Sequence, residues 1–393
     1  MNQASNGKSP LAEVKVLILT SGHEVTDHRI YHKQAQTLSR LGATVTIVGK
    51  VARAQPSDVN ILPIRAVSSR ILRFLWVPWL CIWRARDHQA DIIHVHDAEM
   101  LIVAIPAKIW WRGSKFVYDV HEDFPLLLLI RDWLPVFVRP ILKVAVDIIE
   151  KNLASFADAI VGVTAPLAKK FNNPMKVAIY NFPSRRLFDC AREVHVKPQN
   201  RKYDLVHLGT LSNQRALFLA ETIRTLHDMR PNSRSLVIGL TPEVRRLIES
   251  RVPNSCVLMD KIGHEEIPKI LSDCKVGINV HPWLGPHLKV ALPVKVCEYM
   301  ACGCAVVSST LPVLDEILNA ETMPMQEPLV TILDSKAPVD YVRGVLRFVE
   351  AIEKGDDPGM RLRAFALSHM NWETEADKLC ALYLHLLGRP CPT

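Results

Sequence analysis

An α/β chain with two doubly wound halves is the fold class this sequence predicts, and three observations carry it. Short β-branched runs alternate with helix-period segments from Val14 onward. The alternation begins afresh at Tyr203, after a charged, proline-containing stretch, Ala191–Lys202. At 393 residues the chain is long for one core, so two domains are the natural partition. The expected limits are 1–190 for an N-terminal Rossmann-like domain, 191–202 for a linker, 203–370 for a second Rossmann-like domain and 371–393 for a terminal helix.

The first unit opens on Val14–Leu19, a short apolar strand, followed by the polar turn Thr20-Ser21-Gly22-His23 and by Asp27-His28-Arg29. Ile30, Ala35 and Leu38 then recur at helical spacing up to Leu41-Gly42, and Ala43–Val48 is again β-branched and alternating. The turn after the first strand lacks G-x-G-x-x-G, so a dinucleotide fingerprint is absent. Ligands in such sheets nevertheless bind beyond the carboxyl ends of the strands, which places Gly22 and Arg29 at a candidate cleft. Asp91–Val95 runs into His96-Asp97-Ala98-Glu99, and Lys115–Val120 runs into His121-Glu122-Asp123. Ala159–Val163 and Val177–Tyr180 are further strands. In the second half, Tyr203–Leu208 leads to Gly209-Thr210-Leu211-Ser212, and Arg215 stands at the start of a helix over Ala216–Leu226. Strands at Ser235–Gly239, Cys256–Leu258, Val276–Val280 and Ala305–Val307 follow, and an amphipathic helix, Glu373–Leu387, closes the chain.

Composition narrows the function classes. Hydrophobic residues make up 49% and charged residues 22%, a globular rather than a disordered balance. The net charge of +8 invites an anionic partner: nucleic acid, a lipid surface or a phosphorylated small molecule. Nine scattered cysteines, with Cys302 and Cys304 the only close pair, read as reduced cytosolic thiols. Met1–Pro10 has no apolar signal-peptide core. The longest apolar run, Phe74–Trp83, is ten residues, against about 20 for a bilayer span, so no crossing is expected.

Five stretches carry candidate chemistry. His94 and His96 share one face of a strand, but the zinc-hydrolase pattern H-x-H-x-D-H fails at Ala98 and Glu99. His96 and Asp97 are therefore read as ligand contacts or as satisfied strand-end groups, with no metal. His121 ends a strand beside two carboxylates, where an imidazole can act as acid or base, bind a sugar hydroxyl, or serve the fold alone. Gly209 allows close backbone approach to a ligand, the following helix N-terminus favours an anion, and Arg215 offers forked donors to a diphosphate; a plain surface cation is the alternative. Leu292–Gly303 reads as a helix entered behind Pro293, with Lys295 and Glu298 one turn apart, either facing a small polar ligand or forming a solvated pair. Trp and Arg interleave through Arg70–Arg86 and at Lys108–Arg112, and Leu126–Lys143 adds further apolar and basic residues. That pattern suits the interface of an anionic bilayer; buried helices with snorkelling arginines are the alternative. Nucleic acid fits less well, because the Trp residues stand in apolar runs.

Taken together these residues resemble the retaining glycosyltransferases of family four, over nearly the whole chain. The marks are Asp27-His28-Arg29-Ile30 ahead of Gly42–Thr46, the strand ends His94–Asp97 and Val117–Glu122, Leu208–Leu211 with Arg215, Gly263-His264 before Ile267-Pro268, and above all Leu292–Gly303. The resemblance implies the GT-B fold, two Rossmann-like domains facing each other across a cleft, with the last helix, including Trp372, crossing back to the first. It further implies a nucleotide-sugar donor held by the second half, with Glu298 on the ribose hydroxyls and Arg215 on the diphosphate, and an acceptor held by the first half, with His121 near the reacting sugar. Many members carry a second glutamate eight residues before the one matching Glu298; here Val290 stands there, and Lys289, His287 or the loop Asn279–Gly285 are candidates to replace it.

The expected activity is that of a metal-independent, retaining, hexosyltransferase-like enzyme. It would move a sugar from a nucleotide-diphosphate sugar to a lipid-linked or cell-envelope glycan acceptor, as in polysaccharide biosynthesis. No cofactor is expected, since the nucleotide-sugar is a substrate and no D-x-D motif is present to hold a metal. The expected location is cytoplasmic, peripheral to the inner face of the cytoplasmic membrane. The alternatives are a nucleotide-sugar epimerase of the same fold and a catalytically inactive binding subunit.

Overall fold

The computed structural model describes residues 9–51, 59–65, 67, 69–131, 133–189, 197–281, 285–320 and 330–391. Positions 191–196 of the expected linker and 282–284 of the loop before Gly285 lie outside the described residues. The chain divides into two compact units: Met1–Asn181 with Thr374–Thr393, and Phe182–Glu373.

The first unit is built on a parallel sheet of β1 (Lys15–Glu24), β2 (Thr44–Lys50), β3 (Asn60–Ile64), β4 (Ile92–Val95), β5 (Lys115–Val120), β6 (Ala159–Gly162) and β7 (Lys176–Ala178). Their spatial order is β3-β2-β1-β4-β5-β6-β7. The strands β4 and β6 are buried along their whole length, as expected for parallel strands covered by helices on both faces. Pro63 belongs to β3, an edge strand, where a missing N–H costs no ladder bond. β1 leaves its regular register after Leu19 and pairs with β2 again at Glu24, so Thr20–His23 form an irregular polar stretch within the strand.

The helix Trp372–Leu386 joins this unit from Thr374 onward. Its Glu375 carboxylate accepts the Tyr180 backbone N–H at 2.8 Å, and the Tyr383 hydroxyl lies 2.6 Å from His94 Nδ1. The Arg389 guanidinium donates to the Ala12 carbonyl at 3.0 Å.

The second unit repeats the plan with β8 (Tyr203–Leu208), β9 (Ser235–Leu240), β10 (Cys256–Asp260), β11 (Cys274–Asn279), β12 (Ala305–Ser309) and β13 (Val330–Leu333). The order is β10-β9-β8-β11-β12-β13, again parallel. One face is filled by Leu205, Val237, Val276, Ile278 and Val307 against Phe218, Leu219, Tyr341 and Val345. Phe218 and Tyr341 meet edge to face at 5.3 Å between ring centres.

The helix Val294–Ala301 is pinned through Tyr299 and at its C-terminus. The Tyr299 hydroxyl accepts the Leu208 N–H at 2.7 Å and donates to the Ile278 carbonyl at 3.3 Å, tying the helix to the ends of β8 and β11. At its C-terminus, the buried Arg363 guanidinium donates to the carbonyls of Ala301 and Phe188, and Arg201 donates to those of Gly303 and Cys274. These cations satisfy orphan carbonyls and oppose the negative end of the helix dipole.

Arg363→Met, which keeps the side-chain volume and removes those donors, is expected to lower unfolding free energy by about 2 kcal/mol. Urea denaturation checks this, with Arg361→Met on the exposed Arg361–Asp356 pair expected to shift it by less than about 0.5 kcal/mol.

Candidate functional site

Each sheet reverses its strand order once, between β1 and β4 and between β8 and β11. The chains leaving adjacent strands at such a point turn to opposite faces, which opens a crevice at the carboxyl edge. Both crevices carry an unusual density of polar groups.

In the first unit a cavity of about 230 Å³ opens at the carboxyl ends of β1, β4 and β5. Gly22, His96, Asp97 and His121, expected there, all line it, together with His23, Arg73, Glu99, Tyr118, Glu122 and Arg131. Asp97 anchors the irregular stretch near the end of β1. Its Oδ2 accepts from Thr20 Oγ1 at 2.7 Å, from the Ser21 N–H at 2.8 Å and from the Gly22 N–H at 3.1 Å, while Oδ1 lies 3.5 Å from His23 Nε2. A Cβ on Gly22 would stand 2.8 Å from that carboxylate, so only glycine lets the chain come this close. Burial works against the charge on Asp97, but His23, Thr20 and the two backbone donors hold its pKa below the usual value. Glu99 goes the other way: burial and the neighbouring Asp97 push its carboxyl up, although Ser21 Oγ donates to it at 2.8 Å. Two carboxylates with opposite shifts therefore share one cavity.

His121 lies 2.8 Å from His96, Nε2 to Nδ1, and its ring is 4.8 Å from that of His23. Burial dominates its titration and carries the pKa down to about 4, so the ring is neutral at physiological pH and has both a donor and an acceptor nitrogen. His96 is likewise kept neutral by burial and by His94.

Arg29 is the correction in this unit. Expected at the cleft, it does not line the cavity; it is 2% exposed, with Nε and Nη2 on the two Asp119 oxygens at 3.1 and 3.0 Å and Nη1 on the Ile179 carbonyl at 2.9 Å. Gln34 donates to the same carboxylate at 2.6 Å. Burial opposes the Asp119 charge, but Arg29 and the surrounding imidazoles hold it well below the carboxylate range. His94, His96 and Asp119 place donor atoms within 4.8 Å of one another, a spacing that can hold a metal. Here Asp119 is already engaged by a guanidinium fork and a carboxamide, and His94 Nδ1 by Tyr383, so a second cation would meet a neutralised carboxylate.

In the second unit Gly209 follows β8 at φ +100°, and a Cβ there would lie 3.9 Å from Lys295 Nζ. The ammonium of the helix Val294–Ala301 thus stands over the bare turn. The helix Asn213–Met229 starts at Ser212, whose Oγ accepts the Arg215 N–H. The Arg215 side chain returns to the same turn, with Nη2 donating to the Thr210 carbonyl at 3.3 Å and Nη1 lying 3.2 Å from His281 Nε2. Burial and the nearby Arg215 lower the Lys295 pKa to about 7, against the opposing pull of Glu298. Glu298 is 7% exposed, with Oε1 3.6 Å from His264 Nδ1. The four residues expected here, Gly209, Arg215, Lys295 and Glu298, are brought to one crevice. His264, His281 and the tethering Tyr299 were not singled out as site residues. The strand-end rule that marked His96 and His121 also reaches His281, two positions beyond β11.

The first unit also presents an apolar outer surface. Leu72, Leu75, Trp76, Trp79 and Trp83 share one face of the helix Arg70–Ala85 and are exposed, Trp76 by 60%. Ile105, Ile109 and Trp110 of the helix Ala104–Trp110 are exposed, as are Ile141, Val144 and Ile148 of Arg139–Ala154. Trp110 Nε1 donates to the Arg86 carbonyl at 3.1 Å and Lys108 Nζ to that of Phe156 at 3.0 Å, joining the three helices end to end. Trp133, Val136 and Phe137 are exposed as well, and no described helix is long and apolar enough to cross a membrane.

Residues 29–182 match the profile of Glycosyltransferase Family 4, and residues 202–350 match Glycosyl transferases group 1. The chain is similar to a chitobiosyldiphosphodolichol beta-mannosyltransferase of Candida albicans, 23% identical, over 87% of this chain and 81% of the relative. Among solved structures, sucrose-phosphate synthase from Thermosynechococcus elongatus superposes with a TM-score of 0.70 at 15% identity, covering 96% of this chain and all of that one. Anabaena HepE in complex with UDP-glucose gives 0.66 at 14% identity, covering 95% and 100%. The fold is GT-B, and the chain belongs to the family 4 glycosyltransferases.

A diphosphate bound beside Lys295 would favour its charged form, and its binding would take up protons wherever the free ammonium has begun to dissociate. Affinity for UDP, GDP or ADP is therefore expected to fall as pH rises above about 7, by up to tenfold per unit while the bound ammonium stays charged. Calorimetry between pH 6 and pH 9 checks this, and Lys295→Met is expected to flatten the profile.

Proposed function

We propose that this glycosyltransferase moves a sugar from a nucleotide-diphosphate sugar, held by the second unit, to a lipid-linked or cell-envelope glycan acceptor held by the first. The convergence of Gly209, Arg215, Lys295 and Glu298 at the β8/β11 crevice carries the reading. A bare turn, a helix N-terminus and two cations form a site for a diphosphate, and a buried carboxylate beside them suits vicinal ribose hydroxyls.

Breaking the anomeric C–O bond leaves positive charge on the sugar and negative charge on the departing diphosphate. Arg215, Lys295 and the N-terminus of Asn213–Met229 are placed to meet that negative charge without a metal. In the first unit the neutral His121 imidazole and the Asp97 and Glu99 carboxylates offer donors and acceptors to a sugar. The name of the Candida relative, which acts on a diphosphate-linked lipid, supports the lipid-linked acceptor.

We take transfer to proceed with retention, by attack from the face the diphosphate leaves. A second reading is favoured by the β-product in the relative's name and by the raised Glu99 carboxyl: from an α-linked donor a β product requires inversion and a base in the acceptor cavity. The one-bond C1–H1 coupling of the product, which separates α from β anomers whatever the configuration at C2, decides between them.

The exposed apolar surface supports peripheral docking at the cytoplasmic face of an anionic membrane. Its Trp residues are flanked by basic ones, Arg73 before Trp76 and Arg84 and Arg86 after Trp83, and Arg86 stacks over Trp83 at 4.6 Å.

Purified protein is expected to release nucleoside diphosphate from one nucleotide-sugar in the presence of a lipid-linked acceptor. Arg215→Ala and Glu298→Ala are each expected to lower that rate at least about a hundredfold. Wild-type rates in both variants would refute the site. Flotation with anionic liposomes is expected to weaken at least about tenfold in a Trp76→Ala, Phe137→Ala double variant; binding indifferent to anionic lipid would refute the docking face.

A further inference from the structure

We propose that His281 is a positioning residue for the donor diphosphate: its neutral imidazole holds the Arg215 guanidinium over the Gly209 turn. The proposal rests on the donor-site reading above and adds a residue which that reading does not use.

A guanidinium has donors and no lone pair to offer, so at 3.2 Å from Arg215 Nη1 the His281 Nε2 is the acceptor. The ring therefore carries its proton on Nδ1. Its surroundings keep it in that state: burial, then Arg215, Lys295 and His287 all disfavour an imidazolium and lower its pKa to about 3. With the Thr210 carbonyl on Nη2, Arg215 is gripped by two acceptors on two different strand-end loops, one after β8 and one after β11. A long, rotamer-rich side chain held at both terminal nitrogens loses little further entropy when a ligand arrives.

The support for His281 is itself rigid. Its backbone N–H donates to Ser309 Oγ at 2.7 Å, and that hydroxyl lies 2.6 Å from the Tyr341 hydroxyl. Two residues earlier, the buried Asn279 donates Nδ2 to Ser308 Oγ at 2.9 Å. The end of β11 is thus locked to the end of β12 by two side-chain bonds, and the imidazole stands on that fixed edge rather than on a free loop. A carboxylate at this position would bind Arg215 more tightly but would neutralise the charge needed for the diphosphate; a neutral acceptor orients the cation and leaves its charge available.

The test is calorimetry of UDP, GDP and ADP on the full chain, with the matching nucleosides as controls, in wild type, His281→Leu and His281→Gln, each alone and with Arg215→Met. His281→Leu is expected to weaken the bound nucleoside diphosphate about tenfold, and His281→Gln, whose amide oxygen can accept from Arg215, to recover to within about threefold of wild type. Nucleoside affinity is expected to be unchanged, and in the Arg215→Met background His281→Leu should add less than about twofold. Wild-type affinity in His281→Leu, equal loss in the Leu and Gln variants, or an undiminished loss in the Arg215→Met background would overturn the proposal. Failure of the wild-type protein to bind any of the three diphosphates would instead overturn the donor-site reading, and this proposal with it.

Discussion

Each half of this chain depends on one constraint, the reversal of strand order in a fully parallel sheet. Parallel strands end with their carboxyl edges aligned, and where the connections diverge to opposite faces no helix covers that edge. The chain fills the two openings with different chemistry. Beside β1 and β4, carboxylates and neutral imidazoles share the cavity with Arg73 and Arg131, a mixed donor and acceptor set suited to hydroxyl recognition. Beside β8 and β11 the groups are cations over a bare glycine turn, suited to phosphate. The division of labour proposed for donor and acceptor follows from that contrast.

Both openings are held by buried groups that do not face a ligand. Asp119, gripped by Arg29 and Gln34, lies against the imidazoles of His94 and His96, and His96 in turn orients His121. Tyr383 of the last helix closes the far side of that network through His94. In the second unit Tyr299 fixes the helix that carries Lys295 and Glu298 to the ends of β8 and β11, while Arg363 and Arg201 donate to the Ala301 and Gly303 carbonyls at its C-terminus. A buried ion pair or cation of this kind is costly to break singly, so the ligand-facing groups inherit a fixed geometry.

Most of the sheet was legible from period and composition, because central parallel strands are continuous apolar runs bounded by turn residues. The strands β3 and β13 were not: both are partly exposed edge strands, and β3 contains Pro63, whereas the edge strands β7 and β10 were marked by short apolar runs. The candidate residues at strand ends could be placed because the carboxyl-edge rule needs only a strand and its last residue. Arg29 shows its limit. It follows the first strand in sequence, but its fork found Asp119 at the end of β5, a pairing across 90 positions that no local pattern encodes. His281 escaped for a related reason, since its role depends on a guanidinium arriving from another loop. Of the candidates to replace the upstream glutamate at Val290, Lys289 and His287 stand in the turn Pro286–Val290, and Asn279, at the start of the loop before Gly285, is fully buried and bonded to Ser308.

The most direct test of the central claim is a crystal structure of the full chain with a bound nucleoside diphosphate. The account predicts phosphate oxygens within hydrogen-bond distance of the turn at Gly209 and of Arg215, Lys295 within reach of the same oxygens, and the ribose hydroxyls on Glu298. A diphosphate seated instead in the cavity beside Asp97 and His121, or away from both strand-order reversals, would contradict it.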